Sequence, residues 1–233
     1  MYDGVNFWVG VSLLLENYIS DIHLPMAAIP QSARSREQES EATRRAILDA
    51  AEFLLAARGE SGLSIREVCA RATVTPPTIY HHFGDKAALV DRVVDDCFES
   101  FDRCFAGRAA PADPVERLRW GFDRYVEYGL AHPTHYRLMF QRSHTRPTPG
   151  GLASYDSLRR IVARVAAAGR LRPPVEHATA AYWSAVHGVT SLLIAGFWKP
   201  DSPAIALVRD AMLAELTRPR PRRPTAAAQR RRP

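Results

Sequence analysis

The side chains of Tyr80-His81-His82-Phe83, with Lys86 three residues on, have the most specific chemistry in the chain. A phenol and two imidazoles carry polar tips on rigid rings, so each can hydrogen-bond a phosphate oxygen while losing little rotamer entropy. Phe83 has no such tip and is expected to anchor its helix to a small core. Just upstream, Thr75, Pro77 and Thr78 offer apolar groups that can meet a thymine methyl, and the two threonine hydroxyls can meet either base edge. Capping and turn formation would use Thr75 equally well.

Such side chains act on a duplex only if a helix presents them, and the flanking residues supply one. Ser64 and Glu67 have the spacing of a capping box. Ile65, Val68 and Cys69 recur at i, i+3 and i+4, which gives one apolar face. Ala72-Thr73-Val74 is the turn. Thr75 then caps a second helix that starts with Pro76, where a missing N–H costs nothing. Two short helices across three or four residues form a helix-turn-helix, whose second helix can enter a major groove. Before it, a helix from about Ser40 to Arg58 repeats Ile47, Ala50, Ala51 and Leu54 and stops at Gly59. After it, Asp85 caps a helix through about Phe105, with Leu89, Val93, Cys97 and Phe101 as a packing stripe. Lys86 falls in its first turn, where the helix end adds partial positive charge.

In order and residue type this stretch resembles the TetR family of transcriptional regulators. The resemblance runs from Thr43-Arg-Arg-Ala-Ile-Leu-Asp-Ala-Ala-Glu-Phe-Leu-Leu-Ala-Ala-Arg-Gly59 through Ser64–Phe83 to Gly84-Asp-Lys-Ala-Ala-Leu89. It implies DNA-phosphate contacts by Tyr80, His81, His82 and Lys86, with Thr43 as a further contact to the DNA backbone. Two departures are visible. Thr73 stands where the family usually has glycine, so a positive φ there would strain a β-branched residue. Pro76-Pro77 is unusually stiff, and Pro77 brings no donor to DNA.

The remainder reads as helix throughout. Gly107 to Pro114 is a linker, and Asp113-Pro114 starts a helix carrying Val115, Leu118, Phe122, Tyr125, Val126 and Leu130. His132-Pro133 breaks it, and Thr134–Gln141 forms a short helix. Ser143–Gly151 is expected to be a mobile loop. Helices over Leu152–Ala168, Pro174–Ala195 and Pro203–Leu216 follow, with Gly196–Ser202 as the last turn. No alternating pattern suggests a strand, and there is no internal repeat. The expected fold is all-α, an N-terminal three-helix helix-turn-helix DNA-binding domain joined to a C-terminal helical ligand-binding and dimerisation domain.

Trp183 and His187 are four apart and share one helix face. With Gly188 they resemble the Trp-His-Gly motif of one TetR subgroup, which also carries a stretch like His132-Pro-Thr-His-Tyr-Arg-Leu-Met-Phe140. That resemblance implies a cavity among the middle helices and dimerisation through the final two. Its candidate lining is Trp120, Phe122, Tyr125, Tyr136, Met139, Phe140, Trp183 and His187, which suits an apolar or aromatic effector. Aromatic stripes at helical spacing also serve as plain core, and a histidine on an apolar face is usually a hydrogen-bonded core residue.

Composition bounds the alternatives. In 233 residues, 24% charged, no apolar run is long enough to span a bilayer. The three cysteines (69, 97 and 104) have no metal spacing and suit a reduced cytosolic protein. Cys97 and Cys104 can share a helix face, where a redox switch is conceivable and packing as buried small hydrophobes is the expected role. His132, His135, His144, His177 and His187 lack the companions of a tetrahedral site, so no metal is expected. No cofactor is implied, and no phosphate loop or nucleophile motif supports catalysis.

The net charge of +6 resides in the tail. Residues 217–233 hold seven arginines and no acid, and the remainder carries a formal −1. Such a tail adds salt-sensitive affinity for DNA, or is merely solvated.

Four segments are therefore expected. Residues 1–36 are an extension, disordered or from a misplaced start. Residues 37–84 are the DNA-binding domain, 85–216 the regulatory and dimerisation domain, and 217–233 a disordered basic tail. The resemblance implies a homodimer on a palindromic operator in double-stranded DNA, a small-molecule effector, no membrane partner, and a bacterial, cytoplasmic, nucleoid-associated location. Repression is the default sign. An activator, an effector-independent binder with a filled core, and a helical enzyme with a DNA-binding head are the other readings.

Overall fold

The computed structural model describes residues 31–106, 110–140 and 147–219, and every regular element among them is a helix. These are α1 (Gln31–Arg58), α2 (Ile65–Ala72), α3 (Pro76–Phe83), α4 (Lys86–Arg103), α5 (Pro114–Ala131), α6 (Pro133–Phe140), α7 (Pro149–Ala167), α8 (Val175–Ile194) and α9 (Pro203–Leu216). The chain divides into two units between Arg44 and Arg45, inside α1. In the first, the Thr43 hydroxyl donates to the Glu39 carbonyl (2.8 Å), a bond internal to the helix. The second holds everything that follows.

The second unit is built on one continuous apolar core. At its N-terminal end Ile47, Ala51, Leu55, Leu63, Val68, Ile79 and Leu89 are all buried, so α1 to α4 pack on one another through the positions the periodicity marks. In the C-terminal part α5 and α8 form the main pair, with α9 on α8 and α7 against α4, α5 and α8. The α5–α8 crossing is close because Gly129 is there. A Cβ at that position would lie 2.3 Å from the Thr190 methyl.

Helix ends were read well where an aspartate does the capping. Asp85 accepts from the Ala88 N–H at 2.7 Å, and Asp113 from Val115 and Glu116 at 2.9 and 3.2 Å. Gly59 stops α1 with φ +67°. The capping box at Ser64 does not form. Ser64 has N-cap geometry without a side-chain bond, and Glu67 instead takes a 2.7 Å bond from Arg58. The guanidinium at the end of α1 offers a charge-assisted bond, which is stronger than one from a neutral backbone N–H. Thr75 likewise has N-cap geometry without a capping bond; its hydroxyl meets that of Thr78 at 3.0 Å.

Three expected boundaries move. α1 starts at Gln31, not near Ser40, so residues 31–36 of the expected extension are helical; residues 1–30 lie outside the described residues. α7 starts at Pro149, inside the expected 143–151 loop. Thr148 Oγ1 accepts from Gly151 (3.3 Å) and Asp95 from Gly150 (2.8 Å), so Pro149 and two glycines make a first turn whose free N–H groups are satisfied. Residues 143–146 of that loop lie outside the described residues. The basic tail begins later than 217. Thr217 is buried and bridges Leu171, and the Arg218 N–H donates to the Arg170 carbonyl at 2.7 Å. Residues 220–233 lie outside the described residues.

Candidate nucleic-acid interface and interior cavity

The turn between α2 and α3 has the strained geometry that its sequence predicts. Thr73 has φ 56° and ψ 44°, and it is the one non-glycine with positive φ among the described residues. The αL conformation lets the Val74 N–H reach the Cys69 carbonyl (3.1 Å) and redirects the chain into α3.

α3 is pinned from beneath by Ile79, which is fully buried, and by Phe83 against the core. Its other face is open. Tyr80 is 49% exposed, and Thr75, Pro77 and His81 are exposed as well. Thr78 and His82 are half-buried, His82 lying between the rings of His81 (5.5 Å) and Phe83 (6.1 Å). Lys86 follows in the first turn of α4, half-buried, and no described residue forms an ion pair with it. One helix face and the next helix start thus put together Tyr80, His81 and Lys86, with Thr75, Pro77 and Thr78 one to two turns earlier. Phenol, imidazole and ammonium groups can all donate to phosphate oxygens. Thr43 lies in the other unit, half-buried.

In the C-terminal part α4 to α8 surround a cavity of about 1030 Å³. Trp120, Tyr125, Met139, Phe140 and Trp183 line it, as the sequence suggested. Phe122, Tyr136 and His187 do not. Phe122 is fully buried against the Tyr182 ring (6.1 Å), because its position on α5 faces α8. Tyr136 is fully buried, and its hydroxyl lies 2.7 Å from His187 Nδ1. Burial depresses the His187 pKa, which favours the neutral ring. The Tyr136 hydroxyl also donates to the His187 carbonyl at 3.2 Å, and the Tyr125 hydroxyl lies 3.3 Å from the same Nδ1. These three residues form a layer behind the cavity wall, holding Tyr125 in place.

Sequence reasoning missed the polar part of the lining. Arg117, Asp102, Ser154, Arg160 and Arg164 all face the cavity, together with Tyr155. The Ser154 hydroxyl donates to Asp102 at 2.8 Å, and burial pushes the Asp102 carboxyl above the ordinary aspartate range. The repeat Tyr155, Leu158, Ile161, Arg164 on α7 was the available signal, since each residue of the series is a surface neighbour of the next.

A third arrangement joins α1 to α5 and α6. His135 Nε2 lies 2.9 Å from Glu52 Oε1 on α1, and its Nδ1 lies 2.9 Å from the Tyr128 hydroxyl on α5. Both ring nitrogens are thus engaged, and the Tyr128 hydroxyl also donates to the Cys97 carbonyl at 3.3 Å. The bond from His135 is the main reason the Glu52 carboxyl is held below its usual range, with the charges of His135 and Arg45 adding to it against partial burial. His135 is therefore engaged as a structural link. His144 lies outside the described residues, and among those described no group of three or more His, Cys, Asp or Glu side chains could hold a metal. Burial pushes the thiols of Cys97 and Cys104 up to about 12, so both stay protonated and unreactive at neutral pH.

Comparison with known proteins follows this division. The family model described as bacterial regulatory proteins, tetR family, matches residues 47–93. That described as tetracyclin repressor-like, C-terminal domain, matches residues 118–216, so the C-terminal match carries no reference to a Trp-His-Gly motif. The HTH-type transcriptional repressor Rv3405c of Mycobacterium tuberculosis is 42% identical over 72 residues, 31% of this chain and 38% of that protein. The HTH-type transcriptional regulator TtgR of Pseudomonas putida is 35% identical over 85 residues, covering 36% and 40%. The chain thus spans well under half the length of these curated relatives. Among solved structures, a protein of unknown function from Rhodococcus sp. RHA1 aligns at TM-score 0.62 with 27% identity, over 76% of this chain and 96% of that one. A TetR family transcription regulator from Marinobacter aquaeolei VT8 shares the fold at TM-score 0.62 and 18% identity, over 78% and 100%.

Proposed function

This chain belongs to the TetR family of bacterial regulatory proteins, and on that premise we propose that it is a ligand-responsive, DNA-binding transcriptional repressor and not an enzyme. The observation that carries the reading is the exposed face of α3, where Tyr80, His81 and the α4 residue Lys86 stand together over a buried Ile79 anchor. Tyr80, His81, His82, Lys86 and, in the other unit, Thr43 contact phosphates; Thr75, Pro77 and Thr78 meet base edges. Two copies place their α3 helices in successive major grooves, roughly 34–36 Å apart, on a palindromic operator.

Dimerisation is supported by an apolar surface on the last two helices. Phe197 is 78% exposed and Leu207 70%, with Leu192 nearby on α8. An effector fills the cavity and favours a conformer whose α3 spacing no longer fits DNA; it shifts the equilibrium only by its differential affinity for the two states. The open cavity is what an effector-independent protein with a filled core would lack. Placement in the Trp-His-Gly subgroup rests on Trp183, His187, Gly188 and the stretch 132–140 alone. No described helix is long and apolar enough to cross a membrane, and we place the protein in the cytoplasm, on the nucleoid.

Selection of bound fragments from the source genome by purified protein, followed by fluorescence anisotropy, tests the reading. Expected is enrichment of a palindrome, with Lys86→Ala weakening every sequence alike and flattening the plot of log K against log salt by about one unit. Failure to bind any duplex in dilute buffer would sink it. An unchanged slope would remove Lys86 from the contact set.

A further inference from the structure

The interior cavity is chemically divided from one end to the other. α4 and α7 advance side by side in the same direction, since Asp95 holds Gly150 and Asp102 holds Ser154, each at 2.8 Å. The first turns of α7 therefore face the Phe98 and Phe140 rings, which meet at 5.7 Å, and Tyr155 meets Trp183 at 5.9 Å. This end is aromatic. Towards the other end α7 reaches the start of α5. Just beyond α7, Arg170 pairs with Asp113, the residue that caps α5, at 2.7 Å. Arg164, within the last two turns of α7, and Arg117, in the first turn of α5, are therefore brought to the same end of the cavity. Arg160 lies one turn before Arg164.

The charges at that end do not cancel. Arg160 is engaged by Asp156. For the Arg117 and Arg164 guanidinium groups there is no hydrogen bond or ion pair among the described residues. The one acidic residue in the described lining is Asp102, and it is occupied by Ser154 and biased by burial towards its neutral form. Two guanidinium groups with no partner among the described residues, at one end of an aromatic-lined cavity, are set for a planar anion, because each offers a fork of N–H donors that matches a carboxylate.

We propose that the effector is an amphipathic anion, an apolar body ended by one carboxylate, with its head between Arg117 and Arg164 and its body among Phe98, Phe140, Tyr155 and Trp183. The inference rests on the cavity being the effector site. It narrows the class from apolar molecules in general to apolar carboxylic acids. The body supplies most of the buried area, and the head fixes its direction.

Titration calorimetry with the full chain, using dodecanoate and 1-dodecanol below their aggregation limits, separates the head from the body. Expected is dodecanoate binding tighter than dodecanol by about ten- to a hundred-fold, the range of a charge-assisted hydrogen-bond pair. The double variant Arg117→Gln, Arg164→Gln should bring that ratio close to one while leaving dodecanol affinity unchanged. Arg117→Lys, Arg164→Lys should restore much of it. Circular dichroism melting checks that the variants fold, and the lysine pair keeps the test open if the glutamine pair does not. A ratio near one in the unaltered protein, or a ratio that survives in the glutamine pair, overturns the proposal. Equal binding of both molecules, weakened together by Trp183→Ala, would overturn the anionic head and leave the cavity as an effector site. No binding of either molecule by protein that still binds its operator would overturn both.

Discussion

At the scale of single residues, two side chains take on work that their sequence positions only partly announce. Thr73 occupies the left-handed region at the turn where a residue without Cβ would be unstrained. Strain of that kind costs on the order of 1 kcal/mol for a β-branched residue. Thr73→Gly is therefore expected to raise stability by about 1 kcal/mol in urea denaturation, offset in part by the greater freedom of glycine in the unfolded chain. A neutral or destabilising result would mean that the threonine makes compensating contacts. Glu52 shows the opposite sign of adjustment. His135 holds its carboxyl below the usual range, so the folded state binds that proton more weakly than the unfolded chain. The stabilisation is complete above the unfolded value of 4.5 and is lost as pH falls through the depressed one. Glu52→Gln should lower stability by roughly 0.5–1 kcal/mol near pH 7, and the gap from the unaltered protein should narrow as pH falls below 4.5. Melting curves across that range decide it; a gap independent of pH would show that the charge on Glu52 is not what matters.

Between helices, approach distance is set by small residues that a hydropathy pattern passes over. Gly129 has no side chain to keep α5 from α8, and a methyl there would overlap the Thr190 methyl and crowd the Tyr136 ring at 3.3 Å. Thr190 is fully buried with its hydroxyl donating to the Val186 carbonyl at 2.7 Å, so it has little room to turn aside. Gly129→Ala gains helix propensity but overpacks the crossing, and overpacking usually costs about 1–3 kcal/mol. The expected net result is a melting temperature lower by several degrees. If the variant melts higher, α5 and α8 separate more easily than their packing implies. The same lesson applies to α7. Pro149, Gly150 and Gly151 look like breakers in sequence, yet they start a helix because Thr148 and Asp95 bind the N–H groups that the first turn leaves free.

For the whole molecule, the proposed function requires two copies, and the exposed apolar surface of α8 and α9 is where the second is expected. Leu207→Glu puts a charge on that surface. Light scattering should show a monomer or a much weaker dimer, with affinity for a two-half-site operator falling sharply and single-half-site affinity little changed. A dimer that persists would move the interface elsewhere. What was legible in the sequence was local. Caps and periodicity determined the helices, and the order of Thr75, Tyr80, His81, His82 and Lys86 the surface proposed to face DNA, because a helix places neighbours in sequence on one face at fixed intervals. The cavity was only half legible. Its aromatic wall follows from stripes on single helices, whereas Phe122, Tyr136 and His187 were placed at the ligand and lie behind it. The cavity's basic end was not visible at all, since Arg117 and Arg164 are brought together only when α5 and α7 pack. The Glu52–His135 link likewise joins residues far apart in the chain. Sequence determined which surfaces each helix would offer; tertiary structure alone decided which surfaces meet, because a side-chain partner across two helices is set by their crossing and register, which no local pattern encodes.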